Sequence, residues 1–189
     1  MKRPILSLIL ASGLVGCAVG AEEQAHRLDL QVDAGVLTAR NGGTDEPDPN
    51  AIALSVYLVR DNRLVHMTRE LANPNSSLID AVITDAIAGP TPAEARSGIW
   101  SAIPPGTSLL GTSVEDGVAE IDLSSDFAAI GGTDEVLAVA QIVWSVTALS
   151  EVDTVVLLLD GSPTSAPRAD GVLVSGPLDE DDYQELVGQ

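Results

Sequence analysis

Two carboxylates on one predicted strand form the pair most suggestive of chemistry. Glu120 and Asp122 are separated by one residue, so both side chains project from the same strand face, about 7 Å apart. That separation is compatible with the two carboxylates of a glycosidase. The same alternation has a simpler interpretation, because the outward positions of a one-sided sheet are normally polar. We expect these residues to form a solvent or partner surface rather than an active site.

Other candidates for acid-base and metal chemistry are few. The sequence has two histidines, His26 and His66, and we expect His66 to be the solvated cross-strand partner of Tyr57. No Gly-x-Ser-x-Gly motif presents a serine nucleophile. The acidic run 179–182 lacks the glycine and alternating spacing of a calcium loop, and we interpret it as a solvated tail. We therefore expect no enzyme activity, no metal site and no cofactor.

Trp100 is the residue best suited to stacking a ligand. It lies in a predicted loop over residues 91–105 that also contains Pro104 and Pro105. One interpretation makes the indole a core plug beneath this loop. The other makes it an exposed ring that stacks on a ligand such as a sugar, since tryptophan combines a large apolar face with a polar N–H.

The first residues predict export and lipid attachment. Lys2 and Arg3 precede an apolar run over residues 5–15 that is too short to cross a hydrocarbon layer of ~30 Å. Residues 14–17, Leu-Val-Gly-Cys, resemble the bacterial lipobox, in which the cysteine receives a diacylglyceryl group. Cys17 is the only cysteine in the chain, so it has no disulfide partner. The competing interpretation is an ordinary signal peptide with an incidental cysteine.

We therefore predict a signal peptide over residues 1–16, lipid on Cys17, and anchoring at the extracytoplasmic face of the cell membrane. Residues 17–50, rich in Ala, Gly, Asp and Pro, are interpreted as a flexible tether with a reach of roughly 30 Å. Within it, residues 28–32 alternate apolar and polar side chains and could add an edge strand.

The net charge restricts the partners. Loss of Lys2 and Arg3 with the signal peptide changes the formal charge from −19 to −21. Such a surface repels phosphate backbones and anionic headgroups, which excludes nucleic acid and leaves acyl chains as the route to the membrane. A basic partner or bulk divalent cations remain compatible with the charge.

Two turns set the registers of two predicted hairpins. Asp116-Gly117 favours a type I′ turn in the hairpin 109–123. It places three cross-strand pairs on one face, which we expect to lie on the core: Val114 with Ala119, Thr112 with Ile121, and Leu110 with Leu123. Asp61-Asn62 is the predicted turn of the earlier hairpin. It pairs Leu58 with Val65 and Val56 with Met67 inside, and Tyr57 with His66 outside.

The other elements complete an α+β fold. The sequence predicts a helix over residues 76–88, a buried helix over residues 133–149, and a central strand over residues 154–159 covered on both faces. The order is ββαββαβ, and we expect one mixed sheet covered on one side by two helices. The predicted domain spans residues 51–175, followed by an acidic tail over residues 176–189.

Several short sequences together resemble the GerMN domain. They occur in the family's order and spacing, and comprise Val56-Tyr57-Leu58, Arg69, Ala88-Gly89-Pro90, residues 101–107, residues 116–124, Phe127, Gln141-Ile142-Val143 and Asp160-Gly161. The resemblance implies an αββαβ core similar to ring-building modules. It also implies a bacterial envelope lipoprotein of the sporulation and germination type, and it supplies no catalytic residues.

Two functional hypotheses follow. The first is a non-enzymatic lipoprotein whose GerMN domain is an interaction or assembly module, with an unknown envelope protein or a second copy as partner. The second is a small-ligand or cell-wall glycan binder that uses Trp100, with hydrolase activity as its weaker variant.

Overall fold

The computed structural model describes residues 51–71 and 77–188. The predicted signal peptide, Cys17, His26, the tether and the possible strand at residues 28–32 lie outside these residues. The main elements confirm the α+β class. They are β1 Ile52–Arg60, β2 Arg63–Leu71, α1 Leu78–Ala88, α2 Pro92–Arg96, β3 Leu109–Glu115, β4 Val118–Leu123, α3 Thr133–Thr147, β5 Thr154–Leu159, β6 Ser162–Pro163, β7 Ala166–Pro167 and β8 Leu173–Val174. Two 3₁₀ helices span Ser125–Ala129 and Asp181–Leu186.

The first hairpin has the predicted register. Leu58 lies opposite Val65, and Tyr57 lies opposite His66. Asp61 and Asn62 both have positive φ, 53° and 57°, as a two-residue type I′ turn requires. The turn chemistry therefore determines the pairing along both strands.

The second hairpin follows the prediction near its turn and departs from it at its far end. Thr112 pairs with Ile121 as expected, but a β-bulge between Leu109 and Gly111 brings Leu109, not Leu110, opposite Leu123. The predicted pair of Leu110 with Leu123 is therefore wrong. The extra residue of the bulge leaves Leu110 unpaired and 52% exposed.

The strands form three sheets among the described residues rather than the single predicted sheet. β3, β4, β5 and β6 form a mixed sheet in that order, in which β4 and β5 are parallel. β1 and β2 form a separate two-stranded sheet, and β7 pairs with β8. The first hairpin stays separate because outward backbone groups of β1 bond to Trp100 and to the Ser145 side chain.

The two long helices pack against the mixed sheet as predicted, and both also contact β1. α1 lies against β3, where the Thr112 hydroxyl donates a hydrogen bond to Asp80. α3 lies against β5 and is buried along most of its length. Most of the core comes from aliphatic side chains of β1, β4, α1 and α3.

β5 is central in the sheet. The sequence predicted that both of its faces are covered, and this prediction is wrong. Val155 and Leu157 are buried, whereas Val156 and Leu158 on the other face are half-buried. A continuous apolar run does not by itself show how many faces are covered, because half-buried positions also accept aliphatic residues.

The C-terminal segment is part of the fold, so the prediction of a solvated tail is wrong for most of it. Leu178 pairs with Val155 through backbone hydrogen bonds of 2.8 and 2.9 Å. Tyr183 is fully buried, and its hydroxyl donates to the Pro167 carbonyl at 2.7 Å. Burial raises the pKa of Tyr183 above its ordinary value, with the nearby Asp182 adding to the effect.

Helix α2 lies within the predicted loop. Its N-terminus is a capping box, in which the Thr91 hydroxyl accepts from the Glu94 N–H and the Glu94 carboxylate accepts from the Thr91 N–H. Pro92 occupies the first turn. This Thr-Pro-x-Glu pattern is a recognisable helix start that the sequence interpretation overlooked.

Candidate functional site

The predicted carboxylate pair lies on the outer face of the mixed sheet, facing away from the core. Glu120 is exposed and accepts a hydrogen bond from the Ser113 hydroxyl at 3.3 Å. Asp122 is half-buried and accepts from the Gly161 N–H at 2.9 Å. Both line a shallow cavity of about 170 Å³ with Leu158 as its apolar wall.

This arrangement serves structure better than catalysis. Asp122 fixes the Asp160-Gly161 turn that joins β5 to β6, so one of the two carboxylates already has a structural partner. The cavity of about 170 Å³ is smaller than the roughly 300 Å³ at which ligand pockets usually begin. Trp100 is not among its lining residues, so the structure does not bring the three predicted surface residues together.

His66 has a serine partner that the sequence did not reveal. Its Nε2 lies 3.0 Å from the Ser55 hydroxyl, and its ring meets Tyr57 edge-on at a centroid distance of 5.5 Å. Ser55 and His66 lie diagonally across the hairpin in the register that the sequence predicted, but the register alone does not indicate a hydrogen bond between them. Among the described residues no carboxylate orients the imidazole, which a serine-histidine-acid site requires.

Trp100 is half-buried and is held to β1 by its backbone. The Val59 N–H donates to the Trp100 carbonyl at 2.8 Å, and the Trp100 N–H donates to the Val59 carbonyl at 2.9 Å. The indole packs partly against the core. The segment around Trp100 therefore acts as a short strand-like cover along the edge of β1.

The Gln141 side chain holds the Trp100 segment in place through hydrogen bonds. It is fully buried on α3, and its amide nitrogen donates to the Ala86 carbonyl at 3.2 Å and to the Ser101 hydroxyl at 3.0 Å. Its amide oxygen accepts from the Ala102 N–H at 3.0 Å. A single side chain thus joins α3, the end of α1 and the segment that follows Trp100.

Arg69, one of the residues that carries the resemblance, forms a charged node at the end of β2. It binds Glu94 through two hydrogen bonds of 2.8 Å and lies 3.2 Å from Asp85. Hydrogen bonding to Arg69 holds the pKa of Glu94 below its ordinary value, and the Thr91 bonds act in the same direction. Arg69 and Asp85 also line a cavity of about 470 Å³. Because two carboxylates already neutralise this guanidinium, the cavity is not an anion site.

The edge of β3 is the most exposed apolar part of the mixed sheet. Leu110 is 52% exposed and Val114 is 38% exposed. β3 is the first strand in the sheet order, so its only strand neighbour among the described residues is β4. The sequence placed both side chains in the interior; the bulge at Leu110 and the position of Val114 beside the turn explain their exposure.

Residues 51–71 and 77–188 contain neither a cluster of metal-binding side chains nor a membrane-spanning helix. No group of three or more His, Cys, Asp or Glu side chains in this part of the chain is arranged to hold a metal ion. Within the same residues, no helix has the length and apolar character needed to cross a membrane.

The order of helix, two strands, helix and strand after a separate hairpin defines an α+β module of the GerMN type. The family model described as Germane: Sporulation and spore germination matches residues 46–165. The chain therefore belongs to this family.

Solved structures show the same fold. Tandem GerMN domains of the sporulation protein GerM from Bacillus subtilis align with a TM-score of 0.59 and 23% identity, covering 70% of this chain and 47% of that one. The first GerMN domain of the same protein aligns with a TM-score of 0.57 and 22% identity, covering 69% of this chain and 98% of that one. This chain thus spans about half the length of the tandem-domain structure.

A putative lipoprotein from Clostridium perfringens aligns at a TM-score of 0.47 and 20% identity, covering 73% of this chain and 93% of that one. None of the curated protein sequences compared with the chain matches it. At these identities the first two structures establish the fold alone.

Proposed function

We propose that this protein is a lipid-anchored envelope protein whose GerMN domain binds other proteins and performs no catalysis. The exposed edge of β3, with Leu110 and Val114 on its surface, is the observation that carries the proposal. Exposed apolar side chains on an edge strand are a hazard that soluble domains usually avoid. A partner that covers this edge would explain why these side chains are apolar.

The proposed process is sporulation or germination, or another envelope assembly that uses the same module. Membership of the Germane family and the fold shared with a sporulation protein support this assignment. Attachment through Cys17 would hold the domain at the outer face of the membrane, where envelope proteins meet. The lipobox-like residues 14–17 and the single cysteine support this anchor.

Replacing Cys17 tests the anchor. The Cys17→Ser variant should move from the membrane fraction to the soluble exported fraction, and its processed form should lose the mass of the acyl groups. Ser12→Ala, a change in the apolar run that leaves the lipobox-like residues intact, should stay in the membrane fraction. A wild-type chain that lacks the mass of the acyl groups would contradict the anchor.

Photo-crosslinking in the native cell tests the interaction role. A crosslinking amino acid is placed in turn at Leu110 and Glu120 on the mixed sheet, and at His66 and Arg96 elsewhere on the surface. We expect defined adducts with one or a few proteins at one or more positions. If no position gives an adduct in growing or in differentiating cells, the domain is not an interaction module.

The glycan-binding alternative depends on Trp100. The geometry of Trp100 favours this alternative less than the protein-binding role. The indole is half-buried, and both the N–H and the C=O of Trp100 form hydrogen bonds with the Val59 backbone. Titration with peptidoglycan fragments should leave the fluorescence of Trp100 unchanged, measured in a Trp144→Phe background so that only one indole emits. A saturable shift in that emission would establish ligand binding and revive the alternative.

A further inference from the structure

The strand β3 has one edge without a strand neighbour among the described residues, and acidic side chains lie on the hairpin to which it belongs. We propose that an extended, lysine- or arginine-bearing segment of a partner protein adds to the sheet along Leu109–Glu115. This inference rests on the proposed interaction function and names the partner chemistry for it.

The backbone of β3 supplies the first argument. In a hairpin closed by a two-residue turn, the residues that flank the turn bond to each other, and the bonding alternates along the strand. Glu115 and Ser113 therefore bond inward to β4, while Val114 and Thr112 direct their N–H and C=O groups outward. Two residues of β3 thus present to an incoming strand four backbone groups that have no backbone partner among the described residues.

The first hairpin shows that this alternation holds in the same molecule. There the residues at the equivalent positions, Val59 and Tyr57, direct their N–H groups away from β2 and bond to Trp100 and Ser145. On the opposite strand, the Leu64 carbonyl accepts from the Gly188 N–H at 2.9 Å. The first hairpin is therefore covered along both edges near its turn, whereas no such cover lies on β3 among the described residues.

The side chains of β3 supply the second argument. Edge strands are normally protected by lysine, proline or an inward-pointing charge. Residues 109–115 contain neither lysine nor proline, and Glu115 beside the turn is their only charge. The bulge at Leu110 shortens the regular edge but leaves that leucine on the surface. An added strand would bury part of Leu110 and Val114.

Charge determines which segment fits. From residue 97 to residue 167 the chain has ten Asp or Glu residues and no Lys or Arg. Glu115, Glu120 and Asp122 all belong to the β3–β4 hairpin. A segment with alternating basic side chains meets complementary charge on this surface, which favours both its approach and its register.

The same charge disfavours a second copy of this chain. Pairing β3 with β3 of a symmetry-related copy would bring Glu115 and Asp116 of each chain toward a surface without a single cation between residues 97 and 167. Like charges across an interface oppose association. A partner of opposite charge is therefore the occupant that the surface selects.

Val172 and Leu173 form the main competing surface, at 54% and 63% exposure. They lie at the two-residue strand β8, which offers an added segment little backbone to pair with. Leu173 nevertheless provides a matched control, because it is an exposed leucine at a site where we expect no strand addition.

The test uses the mature chain purified in detergent and three blocked decapeptides. One alternates valine with lysine, the second alternates valine with glutamate, and the third is the lysine peptide with two central valines replaced by proline. Amide hydrogen exchange is read by NMR. We expect the lysine peptide to slow exchange at Thr112 and Val114 by about tenfold or more, while Ser113 and Glu115 change little.

Charge and geometry are then separated by the controls. The glutamate peptide should leave exchange unchanged, and the proline peptide should bind at least about fivefold more weakly because it cannot complete the ladder. Raising the salt concentration should weaken binding of the lysine peptide. Leu110→Ser should weaken it about fivefold, whereas Leu173→Ser should stay within about twofold of the wild type.

Three results would overturn the inference. They are protection that maps away from β3, equal effects of the lysine and glutamate peptides, and no protection by the lysine peptide at millimolar concentration. Protection of Thr112 and Val114 in a dimer of the free chain would replace the basic segment by a second copy. If these tests fail while crosslinks form at His66 or Arg96, the interaction function stands and only its assignment to β3 falls.

Discussion

The two hairpins of this domain have the same kind of turn. Among the described residues, however, only the first hairpin has its outer edges covered by other segments. β1–β2 is closed by Asp61-Asn62 and β3–β4 by Asp116-Gly117, and all four residues have positive φ. The first hairpin is covered by Trp100, Ser145 and Gly188. The second leaves β3 uncovered among the described residues. A turn therefore sets the pairing within a hairpin, but distant segments decide whether its outer edge is free.

The largest expected effect is the difference in stability loss between a buried residue of β4 and an exposed residue of β3. Ile121 on β4 is fully buried, so Ile121→Asp should unfold the domain by burying an unpaired charge, a loss of more than about 4 kcal/mol. Leu110→Asp on the bulge should cost less than about 1 kcal/mol, and Glu120→Gln less than about 0.5 kcal/mol. Urea unfolding measures all three. Similar losses for Leu110→Asp and Ile121→Asp would show that the bulge is misplaced.

A second prediction removes the support of the covered edge. Gln141→Leu leaves the Ala102 N–H buried without a partner and removes one of the two side-chain hydrogen bonds to the Ala86 carbonyl, which should cost about 1–3 kcal/mol. The same change at the exposed Gln184 should be nearly neutral. Because the segment after Trp100 loses its anchor, the Val59 amide should also exchange faster in Gln141→Leu. An unchanged Val59 amide would show that Gln141 does not maintain this cover.

The sequence predicted local features of both hairpins well and long-range features poorly. Asp-Asn and Asp-Gly turns and the apolar alternation contain the information for register. The bulge was not predictable because Leu109 and Leu110 are both apolar, so either residue satisfies the pattern opposite Leu123. The cover on the first hairpin depends on Trp100 and Ser145 at β1 and on Gly188 at β2, and their spacing in the chain does not indicate that they meet there.

Candidate-site residues show the same division. The outward placement of Glu120 and the Tyr57–His66 pair followed from strand periodicity. The hydrogen bond between Ser55 and His66 depends on side-chain conformations that strand periodicity does not specify, and the open edge of β3 follows only from the sheet order. Tyr183 was assigned to a tail because its neighbours are acidic, although its ring is buried in the domain.

The third prediction concerns the charged node on the first hairpin. Arg69→Met should cost about 2–3 kcal/mol at pH 7, because Glu94 and Asp85 lose their shared cation. Since the pKa of Glu94 is lowered in the folded state, this stabilisation is present above the unfolded pKa of about 4.3. It is lost as pH falls through the lower folded pKa.

Unfolding curves from pH 7 to pH 3 measure this effect. The wild type and Arg69→Met should converge toward the acidic end. Arg96→Met is the control, because Arg96 is exposed and forms no ion pair with the described residues. A gap between the wild type and Arg69→Met that is independent of pH would mean that Arg69 stabilises through packing of its apolar stem.

The smallest prediction concerns the second turn residue of each hairpin. Asn62 has φ of 57° and Gly117 has φ of 82°. Asn62→Gly should stabilise the domain by up to about 0.5 kcal/mol, because glycine adopts this region without strain. Gly117→Ala should destabilise it by about 1–2 kcal/mol, because of its φ and because the new Cβ would meet the Asp153 carboxylate. Thermal melts measure both, and equal shifts would show that the two turns are equivalent.

Native-state hydrogen exchange of the free protein tests the central claim most directly. The amides of Val59 and Tyr57 on the covered edge should be protected by bonds to Trp100 and Ser145. Those of Thr112 and Val114 should exchange about a hundredfold faster or more, because nothing in the described fold accepts from them. Equal protection of the two sets in a monomer would contradict the open edge, and with it the proposed docking strand.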